Sequence, residues 1–391
     1  MFKVLTLNNI SVEGLRRLPR ESYEVASEIL HPDAILVRSA NMHEMAVPQS
    51  LLAVARAGAG VNNIPLDRMS KAGVPVFNAP GANANAVKEL VIAGMLLAAR
   101  NICQAWRYVE QLPGDGAELH KAVESGKKQF VGFELPGRTL GVVGLGAIGV
   151  QVANAALKLG MQVIGYDPQL TVQRAWQLSS GVAQARSLDE LFSRADFLTL
   201  HVPLATATRS LVNDTRLALM PDKAVILNFA RGEIVDEDAM LAAIRAGRIG
   251  GYVCDFPSRK LIGQERVITL PHLGASTHEA ESNCAVMVAD NLRAYLEDGV
   301  IRNSVNFPEA DLPRTASSRI TIANENVPNM VGKISTAIGD AGLNIEDLLN
   351  KSRGDIAYTI IDVDGTVPAA TIEEIRGTDG VLCVRDLGRP G

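Results

Sequence analysis

Short apolar runs alternate with stretches of helical period from the first residue onward. The opening MFKVLTL reads as a strand. Residues 34–37 (AILV), 51–57 and 74–77 read as buried strands or apolar helix faces between turns. A long apolar helix is expected after the Gly/Asn-rich stretch 81–86, from about Val87 to beyond Arg100. A second rhythm runs from Thr139 to about Pro271, with strand candidates at 139–143, 162–166, 197–201, 224–229, 251–255 and 267–270. Another long helix is expected from about Thr277 to Glu297. Strands alternating with helices predict βαβ units and parallel sheets. Residues 308–318 (PEADLPRTASS) carry two prolines among small polar residues and read as a linker. Beyond them the order is βαββαβ, a small α+β module. The expected fold class is therefore α/β: two doubly wound parallel-sheet domains followed by a small α+β domain.

A length of 391 residues fits two or three such domains. A net charge of -5 and 4% aromatic residues argue against a nucleic-acid or acidic-membrane partner and against a base-stacking platform. The apolar run 90–99 is roughly half the length of a membrane span. The N-terminus does not read as a signal peptide. Cys103, Cys254, Cys284 and Cys383 are far apart, with no C-x-x-C pair. A disulfide framework or cysteine metal site is therefore not expected, and a reducing cytoplasm is the expected location.

Residues 141–149 read GVVGLGAIG, in which Gly144, Gly146 and Gly149 form G-x-G-x-x-G. The motif sits between a strand candidate and a helical stretch, and the next strand ends in Asp167. Gly144 permits the tight turn, Gly146 the approach of a pyrophosphate, and Gly149 the close packing of helix on strand. The helix N-terminus supplies free N–H groups. Asp167 can accept both ribose hydroxyls of NAD and would repel a 2′-phosphate. No arginine follows it, so NAD is expected rather than NADP.

Two downstream segments, NFARGE (228–233) and PHLGAST (271–277), each follow a strand candidate. Open α/β sheets place ligands at such strand ends. Arg231 offers a permanently charged planar fork suited to a carboxylate. Histidine is the residue type whose ordinary range lies near neutrality, so His272 can exchange a hydroxyl proton. The pair predicts hydride transfer at the 2-carbon of a 2-hydroxy acid.

At these residues the chain resembles the D-isomer-specific 2-hydroxyacid dehydrogenases. The match includes VRSA (37–40), RAGAGVNNI (56–64), VVGLGAIG, YDP (166–168), HVPL (201–204), NFARGEIVDE (228–237) and PHLGAST. The stretches RAGAGVNNIPLD, NAPGANANAVKEL and PHLGAST are most similar to the branch acting on a phosphorylated hydroxy acid. Residues 319–391 resemble that branch's ACT regulatory module. The resemblance implies a discontinuous substrate-binding domain (1–88 and 284–307) and a Rossmann-type NAD domain (89–283). A linker (308–318) and the ACT domain (319–391) would follow.

The resemblance also implies roles. Ala147, Ile148 and Asp167 would meet the adenosine half of NAD. Ala59, His201, Val202, Pro203, Phe229, Ala230, Arg231, His272, Gly274 and Ala275 would line the rest of the groove, with Asp255 near the carboxamide. Arg231 would bind the substrate carboxylate, with Arg38, Ser39 and Gly60 contributing from the other domain and Lys127 and Lys128 reaching a phosphate. One position departs from the pattern. Where the family carries a glutamate paired with the catalytic histidine, this chain has Arg259 or Lys260, and Glu265 is the one glutamate between Asp255 and His272. Loss of that carboxylate would remove a group that raises the pKa of the imidazole.

In the tail, the resemblance maps effector contacts for serine onto Asn324, Asn326 and Asn344, with asparagine at a first position that is often histidine. Amide side chains both donate and accept, as an amino acid requires. A homodimer or homotetramer is expected. The rivals are a glyoxylate or hydroxypyruvate reductase, which usually lacks such a tail, and a non-enzymatic NADH-sensing corepressor.

Overall fold

The computed structural model of the chain describes residues 1–314 and 318–388. Contacts divide it into two compact units, 1–83 with 278–391, and 84–277. The divisions fall at the N-terminal ends of two helices, Ala84–Ala99 and His278–Asp298, so each helix belongs whole to one unit. The first of these helices ends at Ala99, with the apolar run, and does not reach beyond Arg100 as expected. Asn101, at φ 51°, breaks the chain direction before a separate helix, Ile102–Glu110.

The first unit opens with a five-stranded sheet: β1 (Phe2–Leu7), β2 (Tyr23–Ala26), β3 (Ala34–Val37), β4 (Ala53–Arg56) and β5 (Val76–Phe77). Its order is β2-β1-β3-β4-β5, and every pairing is parallel. All four residues of β3 are buried, as expected of a parallel strand covered on both faces.

The second unit holds β6 (Thr139–Val143), β7 (Gln162–Tyr166), β8 (Val182–Gln184), β9 (Phe197–Leu200), β10 (Ala224–Asn228), β11 (Ile249–Cys254) and β12 (Val267–Thr269). They form one parallel sheet in the order β12-β11-β10-β9-β6-β7-β8. The chain leaves β6 toward β7 and later returns to β6's other side at β9. That reversal is where such sheets open a crevice for a ligand.

The tail is β13 (Ser318–Glu325), a helix Met330–Asp340, β14 (Ile345–Arg353), β15 (Ile356–Val363), a helix Ala369–Arg376 and β16 (Val381–Asp386). The antiparallel order is β14-β15-β13-β16. One face packs Ile320, Ile322 and Ile361 against Ile334, Ile338 and Ile375 of the two helices. The other face packs Ala323, Tyr358 and Ile360 into the same cluster as Phe77, Tyr295 and Phe307 of the first unit.

Polar groups reinforce that joint. Arg319 and Asp362 are fully buried and form a two-pronged ion pair, Nε–Oδ1 2.6 Å and Nη2–Oδ2 2.7 Å. Arg319 Nη1 donates to the carbonyl of Asp298, and Arg385 donates to those of Tyr295 and Leu296. The Tyr358 hydroxyl donates to the carbonyl of Gly299. Three carbonyls at the end of the helix His278–Asp298, those of Tyr295, Leu296 and Asp298, thus accept from the tail. Residues 308–314, read as linker, are tied down too: Ala310 pairs with Ile301, and Arg314 donates to the carbonyl of Leu387. The rest of that stretch, 315–317, lies outside the described residues, as do residues 389–391 of the tail.

Candidate active site

The glycine loop bridges β6 and the helix Ala147–Lys158. Gly144 has φ +89°, and a Cβ there would lie 2.6 Å from the carbonyl oxygen of His201. At Gly149 a Cβ would lie 1.9 Å from the oxygen of Gly144. Both glycines are required by the chain's own packing. At Gly146 a Cβ would meet nothing within 4 Å. That residue borders open space over the N–H groups of Ala147, Ile148 and Gly149, which have no partner one turn back. A cradle of this kind fits a pyrophosphate.

Asp167 follows β7, and its carboxylate is fixed by two backbone donors, Leu145 N (2.9 Å) and Gln169 N (2.8 Å). Each oxygen keeps further acceptor capacity for a ribose hydroxyl. His201 and Val202 border the loop from β9, as the contact with Gly144 requires. The His201 ring bonds the Thr199 hydroxyl at 2.9 Å, and burial pushes its pKa down to about 3. Pro203 is exposed beside them.

The ends of β10, β11 and β12 are in register, Asn228 with Cys254 and Cys254 with Thr269. Arg231 and His272 each follow three residues past their strand ends, two strands apart, about 10 Å of sheet. Asn228, fully buried, shapes the first loop. Its Nδ2 donates to the carbonyl of Arg231, and its Oδ1 accepts from Ala230 N. Arg231 is partly exposed, and one nitrogen donates to the carbonyl of Ala230 at 2.6 Å. No carboxylate pairs with it among the described residues. The Phe229 side chain is buried in the apolar cluster against Gly94, so only its backbone faces the loop.

Asp255, 1% exposed, anchors the second loop. Its carboxylate accepts Leu273 N and Gly274 N, both at 2.7 Å, and its carbonyl accepts His272 N at 3.1 Å. His272 itself has φ 57°, a left-handed conformation that is rare outside glycine and marks strain held at a site. Its ring is exposed, 5.1 Å from the ring of Phe256 between centroids. Gly274 is buried and Ala275 partly so. Glu265 lies loosely beside Arg266 (3.7 Å), with its side chain 88% exposed, and Lys260 is held by Asp238.

In the other unit, Arg38 follows β3 and pairs with Glu281 at 2.6 Å. Ser39 N donates to Asn8 Oδ1, and the Ala59 carbonyl accepts Asn78 Nδ2. Gly60 is partly exposed in the same turn. Arg56, at the end of β4, donates through Nε to the carbonyl of Arg38. Lys127 and Lys128 are both exposed, and Lys127 is paired with Glu124. In the tail, Asn324 is buried, with an Oδ1 that has no partner. Asn326 lies at the same sheet end, bonded to Gly354 and Asp355. Asn344 bonds Asp364 at the opposite end, some nine residues of strand or about 30 Å away. Within one chain the three asparagines do not form one pocket.

Sequence reasoning passed over Asn228, Phe256 and Arg56. Asn228 stood inside a quoted motif, but its loop-bracing role depends on burial. Arg56 opened another motif, and its position beside Arg38 follows from the pairing of β3 with β4.

Known proteins resemble this chain over most of its length. The sequence model described as the D-isomer specific 2-hydroxyacid dehydrogenase, NAD binding domain, matches residues 92–280. A D-3-phosphoglycerate dehydrogenase of Synechocystis sp. is 34% identical, covering 99% of this chain and 71% of that protein. One from Haemophilus influenzae is 34% identical, covering 86% and 81%. Among solved structures, the apo D-mandelate dehydrogenase of Rhodotorula graminis superposes with a TM-score of 0.67 at 24% identity, over 80% of this chain and 99% of that one.

Proposed function

The chain belongs to the D-isomer-specific 2-hydroxyacid dehydrogenase family, and from that premise we propose that it oxidises 3-phosphoglycerate to 3-phosphohydroxypyruvate with NAD, the entry step of serine biosynthesis. One observation carries the chemistry: the Arg231 guanidinium has no carboxylate partner among the described residues and stands two strand ends from an exposed imidazole. The likeness to two D-3-phosphoglycerate dehydrogenases at 34% identity supports the choice of substrate.

NAD, when bound, supplies the hydride acceptor. Arg231 binds the substrate carboxylate through its fork and draws charge toward the adjacent C2 oxygen as that carbon becomes a carbonyl. His272 takes the 2-hydroxyl proton on a ring nitrogen, and returns it in the reverse direction. The Asp255 carboxylate holds the loop that aims His272. Asp167 and the glycine cradle orient the coenzyme. Arg38 and the neighbouring Arg56 offer cations on the substrate-side unit, and Lys127 and Lys128 offer two more on the other. For the tail, the reading is a serine sensor at Asn324, Asn326 and Asn344. A site using all three requires two copies of the chain, which favours a homo-oligomer.

The test is NAD reduction with 3-phosphoglycerate beside glycerate and lactate, and NADH oxidation with glyoxylate, each with and without serine. The expected result is kcat/KM at least about a hundredfold higher for 3-phosphoglycerate than for glycerate, the scale of two charge-assisted contacts to a phosphate, with inhibition by millimolar serine. A preference for glyoxylate would favour the reductase reading, and no turnover with any substrate would favour the corepressor reading.

A further inference from the structure

His272 has a fixed backbone, and its imidazole has no polar partner among the described residues. Its peptide is pinned through Asp255, and its φ of 57° sets the direction in which the side chain leaves the loop. No carboxylate bonds the ring among the described residues. Glu265 is exposed beside Arg266, and Lys260 is occupied by Asp238. A side chain with two free torsions would still sample several directions. The group against the ring is Phe256, centroids 5.1 Å apart and planes inclined at 53°.

Phe256 is well placed to transmit position. It comes two residues after β11, whose end is paired with both β10 and β12. Asp255, its chain neighbour, is buried and bonded to the His272 loop. On its other side Phe256 meets the Arg231 loop: a Cβ built on Gly232 would touch the Phe256 Cβ at 3.4 Å. The aromatic side chain therefore stands between the loops that bear the guanidinium and the imidazole. Tilted ring pairs at this separation are attractive, and an aromatic face also favours a cationic ring over it.

We propose that Phe256 is a positioning residue for His272, holding the imidazole by ring contact in the place of a hydrogen-bonded carboxylate. This rests on the reading of His272 as the acid–base group. Phe256 touches neither the transferred hydride nor the proton. It acts by narrowing the directions the imidazole samples and by stabilising the imidazolium that forms during oxidation. A misdirected base lowers turnover without weakening the binding of coenzyme or substrate.

The experiment is a double-mutant cycle with Phe256→Leu and His272→Asn in the full-length chain, read as kcat, substrate KM and NAD Kd. His272→Asn alone should lower kcat by at least about a hundredfold, the scale of general acid–base catalysis. Phe256→Leu alone should lower kcat by about five- to thirtyfold with KM and Kd within about twofold, and Phe256→Tyr should restore most of it. In the His272→Asn background, Phe256→Leu should have no further effect. Full activity of Phe256→Leu, or the same loss in the His272→Asn background, overturns the positioning role. Full activity of His272→Asn instead overturns the underlying acid–base reading. Should Phe256→Leu fold poorly, proton NMR of the wild type gives an independent answer. With six histidines in the chain, subtraction of a His272→Asn spectrum identifies the His272 ring protons. An upfield ring-current shift of those protons supports the contact, and unshifted resonances overturn it.

Discussion

At the scale of single residues, the site depends on groups that do no chemistry. Asn228 and Asp255 are buried side chains that bond backbone groups, Asn228 also donating to the Tyr252 hydroxyl, and each fixes a loop carrying a reactive residue. Buried acceptors used in this way are costly to alter, because the amide of an Asp→Asn variant turns a donor toward a donor. Asp255→Asn should therefore lose about 1–3 kcal/mol of stability and at least about tenfold in kcat. Thermal melting and steady-state kinetics would check both. An unchanged kcat would separate the anchor from the catalysis. Arg231 and His272 were legible in the sequence because their residue types match the chemistry and their motifs follow strand patterns. Phe256 was not, because a ring contact between segments 16 residues apart leaves no trace in spacing.

At the scale of elements, the parallel strands were readable because burial on both faces makes them short, largely apolar runs, as AILV in β3 and AVIL in β10. Strands that lack such a run escaped notice. β2 (YEVA) and β8 (VAQ) lie at sheet edges and mix polar with apolar positions. The helices Ile102–Glu110 and Gly116–Gly126 were missed although the first carries Ile102, Ala105, Trp106 and Val109 at helical spacing; that apolar face is not buried in this unit.

One element end carries a pH consequence. His201 closes β9, and its folded pKa, about 3, lies below the ordinary 6.5 of an unfolded chain. Below pH 6.5 the unfolded state takes up a proton that the folded state refuses. This contribution is therefore intact above pH 6.5 and is lost as the pH falls toward 3. The residue's outer edge is partly exposed, which trims the effect to about 2–3 kcal/mol between pH 7 and pH 4. Denaturant midpoints at the two pH values should fall further apart for wild type than for His201→Asn. An equal fall in both would remove His201 from acid sensitivity.

At the scale of the whole molecule, the tail is built into the unit that carries Arg38. The sequence suggested a module on a linker, because prolines and small polar residues mark exposed chain. It could not reveal that Arg319, Arg353, Tyr358 and Arg385 would donate to carbonyls of residues 295–307. Nor could it reveal that the second sheet face would share a core with Tyr295 and Phe77. Arg319→Met should remove the ion-pair partner of the buried Asp362 carboxylate and destabilise that unit by about 3–5 kcal/mol. The loss would appear as a lower melting temperature for the whole unit, not for the tail alone. A separate early transition confined to the tail would mean the joint is weaker than its contacts imply. The joint also caps a 21-residue helix whose first residue directly follows the PHLGAST loop. The tail is thus covalently continuous, through about 30 Å of helix, with the segment bearing His272.

The central claim is that a guanidinium and an imidazole past strand ends two strands apart carry hydride transfer to a coenzyme held by the glycine cradle. The most direct test is rapid-mixing measurement of NADH formation at 340 nm for wild type, Arg231→Met and His272→Asn, alongside calorimetric NAD binding. The account predicts NAD binding retained to within about fivefold and a rate reduced by at least about a hundredfold in each variant. Either variant forming NADH at the wild-type rate would contradict it.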